Sequence, residues 1–441
     1  MKHRWMMAMR GVTAPCPVVH GRRVIATMDR RRHLCALNIF LVLFGALIMS
    51  SAAFAEGPTV TNEVLLPADQ GASLDPSSIS NASDGGFILT GSMNMDGWAV
   101  KTDAKGNVLW RYSVKAPDIQ PRWLSHLKIL DAIAMPDGTT YLYGNKPVPI
   151  SSQEPSAFLT HLDVSGHLLS TKFFAPTVTG GWGASRGGFS RGARWGDGFV
   201  FVGQTSEVIR GADPNVLPHV KVFYWILALN AAGNVKWEKQ ISAGTTSAAA
   251  TIGALNVTNE RLLFSSTDNI STDILSIDAG GTLVAQNNIA GSLSFITPLQ
   301  GGADVQMMDC HGSTASIVSL DNKLAEAGRT PSIIDDFEGQ AYRLADQSYV
   351  AVGHRIHSIG QEYTTAVVHL DSSFQNKRFM DFPRSREPIF IDNGRIAGVT
   401  LTREDGEFVV VRKLTQVRGA REPIDTPPVF RGAVLDFVQL N

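Results

Sequence analysis

The chain is 441 residues long, 44% hydrophobic and 18% charged, with a formal net charge of −1. Its first 55 residues hold eight Lys and Arg against one Asp, so the remainder carries 31 basic and 39 acidic side chains, a net charge of −8. That acidity argues against broad nucleic-acid binding. With Cys16 and Cys35 in the first segment, the lone Cys310 allows neither an internal disulfide nor a multi-cysteine zinc site.

Arg30, Arg31 and Arg32 precede a run, Ala36 to Met49, that is apolar apart from Asn38, and Ser50-Ser-Ala-Ala-Phe-Ala55 supplies small residues before Glu56. This is the pattern of a secretory signal peptide cut after Ala55. The run is too short and too close to the cut to serve as a stable membrane span. Met28 would start a signal of ordinary length, leaving residues 1–27 upstream of the true start. Asp29-Arg-Arg-Arg-His-Leu34 also resembles a twin-arginine signal, but the strongly apolar run favours ordinary secretion. The expected product is one soluble, monomeric domain, residues 56–441, in a bacterial periplasm or outside the cell.

From Asp84 to Tyr112 three short apolar runs are separated by turn chemistry, which predicts an antiparallel meander. Asp84-Gly85-Gly86 is a tight turn, because Gly reaches positive φ without steric cost and Asp bonds its own backbone. Phe87 to Thr90 is a short buried strand. Asp103-Ala-Lys-Gly106 has Asp first and Gly fourth, as a type I turn prefers.

The same order recurs. Anchored on the Asp or Asn that ends a strand, the copies are Thr102-Asp103, Leu162-Asp163, Leu229-Asn230, Ile277-Asp278, Leu320-Asp321 and Leu370-Asp371, with a degenerate seventh at Lys413-Leu414-Thr415. Successive spacings are 60, 67, 48, 43, 50 and 44 residues. The strand before each anchor has its own precursor, as in Phe87-Ile-Leu-Thr-Gly91, Tyr141-Leu-Tyr-Gly144 and Phe199-Val-Phe-Val-Gly203. Several strands per unit at this period predict an all-β fold: a seven-bladed β-propeller of four-stranded antiparallel blades. Val60 to Leu66 or Val434 to Leu440 is expected to complete the last blade, beside strands near Ile389-Phe390, Arg395 to Leu401 and Glu407 to Leu414.

Asp103-x-x-Gly-Asn-x-x-Trp110, echoed by Asn230-x-x-Gly-Asn-x-x-Trp237, resembles the repeats of bacterial secreted β-propeller proteins and is similar to those of quinoprotein-type propellers. Ser170 and Ala285 stand where the Trp belongs in copies two and four, and the later copies lose the Gly. The resemblance implies the fold; a quinone-dependent dehydrogenase would need dedicated cofactor ligands, and no cofactor is expected.

In a meander, alternate connections emerge on one face. The Asp-anchored turns make one face short-looped, so function is expected on the other. Its candidate loops are 115–126 with Trp123, 175–198 with Trp182, Arg186, Arg191, Arg194 and Trp195, 204–220 with Arg210 and His219, and 354–362 with His354, Arg355 and His357. Trp and Arg are the residues enriched at binding hot spots. His354 and His357 would need a third ligand to hold a metal, and Cys310-His311 points to opposite sides of a strand, so neither a metal site nor a nucleophile is expected. The pattern favours a module that binds a protein or other polymer, for envelope assembly, toxin neutralisation or surface interaction. The alternative is a hydrolase or cofactor-dependent oxidoreductase at the central channel, which requires acids, bases and histidines converging from several innermost strands.

Overall fold

The chain divides into two compact units, Met1–Ala55 and Glu56–Asn441. The computed structural model describes residues 58–67, 73–118, 126–148, 155–177, 187–209, 219–243, 251–258, 260–267, 271–299, 302–308, 315–331, 337–344, 346, 348–355, 364–372, 377–381, 390–401, 407–416 and 430–439. The expected export segment lies outside them.

The second unit opens with β1 (Thr59–Pro67) and then forms six sheets in succession. The first is β2 (Leu74–Asn81), β3 (Phe87–Met93), β4 (Asp96–Thr102) and β5 (Val108–Val114). The second is β6 (Lys128–Ala134), β7 (Thr140–Asn145), β8 (Ala157–Leu162) and β9 (Leu168–Phe174). The third is β10 (Gly188–Trp195), β11 (Gly198–Ile209), β12 (His219–Leu229) and β13 (Val235–Ser242). The fourth is β14 (Thr251–Val257), β15 (Arg261–Thr267), β16 (Ser271–Asp278) and β17 (Leu283–Ala290). The fifth is β18 (Ser292–Leu299), β19 (Gly302–Met308), β20 (Ala315–Asp321) and β21 (Glu326–Pro331). The sixth is β22 (Phe337–Arg343), β23 (Tyr349–Arg355), β24 (Thr364–Leu370) and β25 (Lys377–Asp381).

A seventh sheet, in the order β26 (Phe390–Leu401), β27 (Glu407–Gln416), β28 (Phe430–Gln439) and β1, joins the two ends of the unit. All the pairings are antiparallel, and every regular element among the described residues is a strand. First strands of consecutive sheets lie against one another, from β2 beside β6 round to β18 beside β22, and β26 returns to β2. This is a β-propeller, and pairing with β1 covers the edge that β28 would otherwise present.

Both candidate closing segments are used, β28 third and β1 fourth. The seventh copy was therefore out of register. Arg395 to Gly398 lies in the first strand and Leu414 in the second, and Phe390 to Leu401 is one strand with irregular pairing around Ile396. The insertion between β27 and β28 hid this. Leu440-Asn441, which follows β28 and lies outside the described residues, has the Leu-Asn composition of Leu229-Asn230.

Apolar side chains collect between sheets. Trp110, Ile129, Leu142 and Phe158 join the first sheet to the second, Tyr143, Phe189, Phe201 and Trp225 the second to the third, and Tyr224, Ile252 and Phe264 the third to the fourth. Middle strands are covered on both faces, so Phe87 to Ser92 is wholly buried, while β5 and β9 each expose alternate or successive positions to solvent.

The Asp-anchored turns share one geometry. Asp103 Oδ1 accepts the amides of Lys105 and Asn107 at 2.8 and 2.9 Å, and Gly106 takes φ +88°. The pattern recurs at Asp163, Asn230, Asp278 and Asp321. At the last, Leu324 occupies the left-handed position at φ +63°, held there by burial against the fifth sheet. The repeated Trp acts on the next repeat. A Cβ on Gly166 would sit 2.8 Å from the Trp110 ring, and one on Gly281 would sit 2.9 Å from Trp237. Where Trp is missing, the side chain two residues on takes over. Lys172 Nζ donates to Ala232 O at 2.6 Å and Asn234 Oδ1 at 2.7 Å, and Asn287 Nδ2 donates to Leu324 O at 2.7 Å.

Candidate functional site at the inner strands

A glycine within the second strand of each of the first three sheets explains the shape of the channel wall. A Cβ on Gly91 would lie 2.2 Å from Asp75 O, one on Gly144 2.1 Å from Lys128 O, and one on Gly203 1.8 Å from Gly188 O. The inner strand thus presses its backbone onto the glycine. One residue further along it bulges, between Pro76 and Ser78 in β2, Ile129 and Asp131 in β6, and Phe189 and Arg191 in β10. β14 and β18 are displaced at the matching level. A bulge re-aims the residue that follows it, and here those residues are Ser78, Asp131 and Arg191.

Asp131 is the centre of the cluster. Its Oδ1 accepts the Ser80 hydroxyl at 2.6 Å and the Ala132 amide at 2.8 Å, and Ser78 bonds it as well. Part of the residue reaches solvent, but protein encloses the carboxylate, and this burial raises its pKa despite the hydroxyls and the charge of Arg191. Across the β6–β7 pairing, Tyr143 is buried and takes the Gly192 amide at 2.8 Å, tying the second sheet to the third. Burial, then the nearby Asp131 charge, pushes its phenol well above the usual tyrosine range. Arg191 is exposed, and its Nε donates 3.1 Å to Gly253 O on β14, so the side chain lies along the wall between inner strands.

Nearer the face of long connections, His126 Nε2 is 2.7 Å from Ser92 Oγ, and Lys128 Nζ pairs with Asp75 Oδ2 at 3.6 Å. Burial first, and the Lys128 charge second, lower the His126 pKa, with Asp75 opposing them. The imidazole is therefore neutral at pH 7 and can accept from or donate to the Ser92 hydroxyl. Among the described residues no group of three metal-type ligands gathers.

The residues expected in loops are distributed differently. Arg191, Arg194 and Trp195 belong to β10, an inner strand, and not to a 175–198 loop. The Gly and Arg content concealed it, because Phe189 is its one large side chain in the core shared with the second sheet, and pairing to β11 supports the rest of the strand. Trp195 donates its indole N–H to Thr258 O at 3.0 Å and meets Trp237 edge-on at 6.2 Å, so it braces the fourth sheet. His219 opens β12, while His354 and Arg355 end β23. Trp123, Trp182, Arg186, Arg210 and His357 lie outside the described residues, as does Cys310. Of the expected residues, Arg191 is the one whose charge is felt at the cluster of Asp131, Ser78 and Ser80. Those three were missed because they sit at no fixed sequence spacing; the available signal was the recurring Gly within the second strand, which marks where the adjacent inner strand turns a side chain inward.

No family model and no curated protein matches this sequence. Solved structures resemble it over most of its length. A protein of unknown function from Dyadobacter fermentans aligns at 10% identity and a TM-score of 0.44, covering 86% of this chain and 99% of that one. BamB from Moraxella catarrhalis aligns at 12% identity and 0.39, covering 86% and 100%. A puromycin-hydrolysing peptidase of Mycobacterium tuberculosis aligns at 12% and 0.47, covering 81% and 54%. At these identities the likeness concerns the fold alone.

Proposed function

We propose that this chain is a binding propeller, exported to the bacterial envelope or beyond, that grips a protein or other polymer with one face of the ring. The observation that carries this reading is the asymmetry of the connections. On one face the strands are joined by short turns, such as 82–86, 103–107, 135–139 and 163–167. On the other, residues 115–127, 146–156, 175–187 and 417–429 join strands. Variable connections on a rigid scaffold are where recognition residues accumulate. Export rests on the sequence of residues 30–55. The enzyme reading has one observation in its favour, the enclosed Asp131, but its partners are two hydroxyls and a cation, which suit holding a ligand better than moving a proton.

The test replaces residues 178–186 with a short Gly-Ser linker, leaving β10 intact, and compares capture of partners from an envelope extract. Loss of capture with unchanged far-ultraviolet circular dichroism is the expected outcome. A matched exchange of Ser165 and His167 in the tight turn on the opposite face should leave capture in place. If the second variant loses the partner and the first keeps it, the binding face has been assigned the wrong way round.

A further inference from the structure

We propose that the channel wall at Asp131 and Arg191 is a binding site for a small hydroxy-carboxylate, of the uronic-acid type, with the carboxylate on Arg191 and a ligand hydroxyl on the Asp131–Ser80 pair. This site is separate from the long-connection face and does not depend on binding there.

Three features of the wall converge on it. Ser78, Asp131 and Arg191 come from three consecutive inner strands and follow bulges at matching pairing positions, so one level of the channel presents a hydroxyl, an acid and a guanidinium together. The Arg191 guanidinium is anchored through Nε on Gly253 O. Its two terminal nitrogens meet no partner among the described residues, and such a fork matches the two oxygens of a carboxylate. Asp131 and Arg191 sense each other's charge, yet among the described residues no ion pair joins them.

The acid keeps one acceptor position: a carboxylate takes about four donors, and Ser80, the Ala132 amide and Ser78 supply three. Thr90, paired with Ser78 across β2 and β3, is fully buried with a hydroxyl that finds no partner among the described residues. A carboxyl enclosed in this way leans toward its neutral form. A ligand hydroxyl shared with the Asp131–Ser80 pair, beside the Arg191 fork, selects an anion carrying a hydroxyl over a bare anion.

Isothermal titration of the purified protein with D-glucuronate, D-glucose and inorganic phosphate in separate arms decides the matter. Glucuronate should bind at least tenfold more tightly than either glucose or phosphate. Arg191→Gln should remove that preference, and Arg191→Lys, which keeps the charge without the fork, should weaken it several-fold. Asp131→Asn should weaken glucuronate while leaving phosphate unchanged. Arg111→Gln, on an exposed outer strand, should bind as the wild type does, and thermal unfolding of each variant confirms that it is folded. No binding of glucuronate, equal binding of phosphate, or an Arg191→Gln protein indistinguishable from wild type would each overturn the proposal.

Discussion

At the outer rim, Trp110 and Trp237 press onto the left-handed glycines Gly166 and Gly281 of the following sheets, and Lys172 and Asn287 replace them by hydrogen bonding to the same turn. At the inner edge, Ser78, Asp131 and Arg191 occupy matching places with unlike chemistry. The rim repeats its sequence because its task, joining one sheet to the next, is the same at each step. Along the wall it is the backbone that repeats, through the bulge and its glycine, while the side chain that follows is free to differ. Repetition thus records architecture, and its interruption at a repeated backbone position marks where a particular chemistry has been placed.

The sharpest way to break this comparison is at a glycine beneath the inner strand. Gly144→Val puts carbon where Lys128 O and the Phe158 ring already lie, at 2.1 and 2.8 Å. The bulge that presents Asp131 must then flatten or the second sheet must shift. We expect a loss of about 3 kcal/mol or more in stability, in the range of severe overpacking, read as a fall in the urea midpoint. A Val protein as stable as wild type would mean that the inner strand yields freely and that the bulge is not imposed by packing.

The rim offers a smaller and graded test. Trp110 is buried and stacked on Gly166. Its truncation to Ala should cost about 3 kcal/mol, as for other large core deletions. Lys172→Met keeps the stem and removes two exposed hydrogen bonds to Ala232 and Asn234, and should cost about 1 kcal/mol. Equal losses would show that the two solutions to the sheet junction are energetically the same, and the distinction between apolar and polar joints would disappear. Denaturant titration with a common slope provides the comparison.

Much of this was legible in the chain. The Asp- or Asn-x-x-Gly spacing placed the third and fourth strands of the first four sheets, since a turn that needs a left-handed residue and an acceptor for free amides leaves few alternatives. Phe87-Ile-Leu-Thr and its counterparts announced themselves as strands buried on both faces. The last sheet was harder, because its four strands come from both ends of the unit and an insertion separates β27 from β28. The wall was hardest. Arg191 looked like a loop residue because Gly188, Gly192 and three arginine or tryptophan side chains mask the alternation of β10. Asp131 is one acid in an apolar strand, and only the ring brings it to Ser80, 51 positions away.

The smallest effect concerns Asp131, and its sign separates the wall from the rim. Burial raises the folded-state pKa of Asp131 above its unfolded value, which for an aspartate is about 4. Below that pH both states hold the proton and the group is neutral toward stability. As the pH rises, the unfolded chain releases the proton first, so folding becomes less favourable until the folded acid has ionised too, after which the cost is constant. Asp131→Asn removes that cost while keeping an oxygen for Ser80. It should therefore melt about 2 °C higher than wild type at pH 7, a shift matching roughly 1 kcal/mol for a domain of this size, with the gap closing as the pH falls to about 4. The rim carboxylate Asp103 behaves in the opposite sense: hydrogen bonds from Asn107, the side chain first and the backbone second, lower its pKa, so Asp103→Asn should lose stability at pH 7 and recover parity only in acid. Melting curves of both variants between pH 4 and pH 8 give two slopes of opposite sign. Slopes of the same sign would mean that the wall carboxylate is solvated like a turn residue, and the enclosed site at Arg191 would lose its selectivity for an anion.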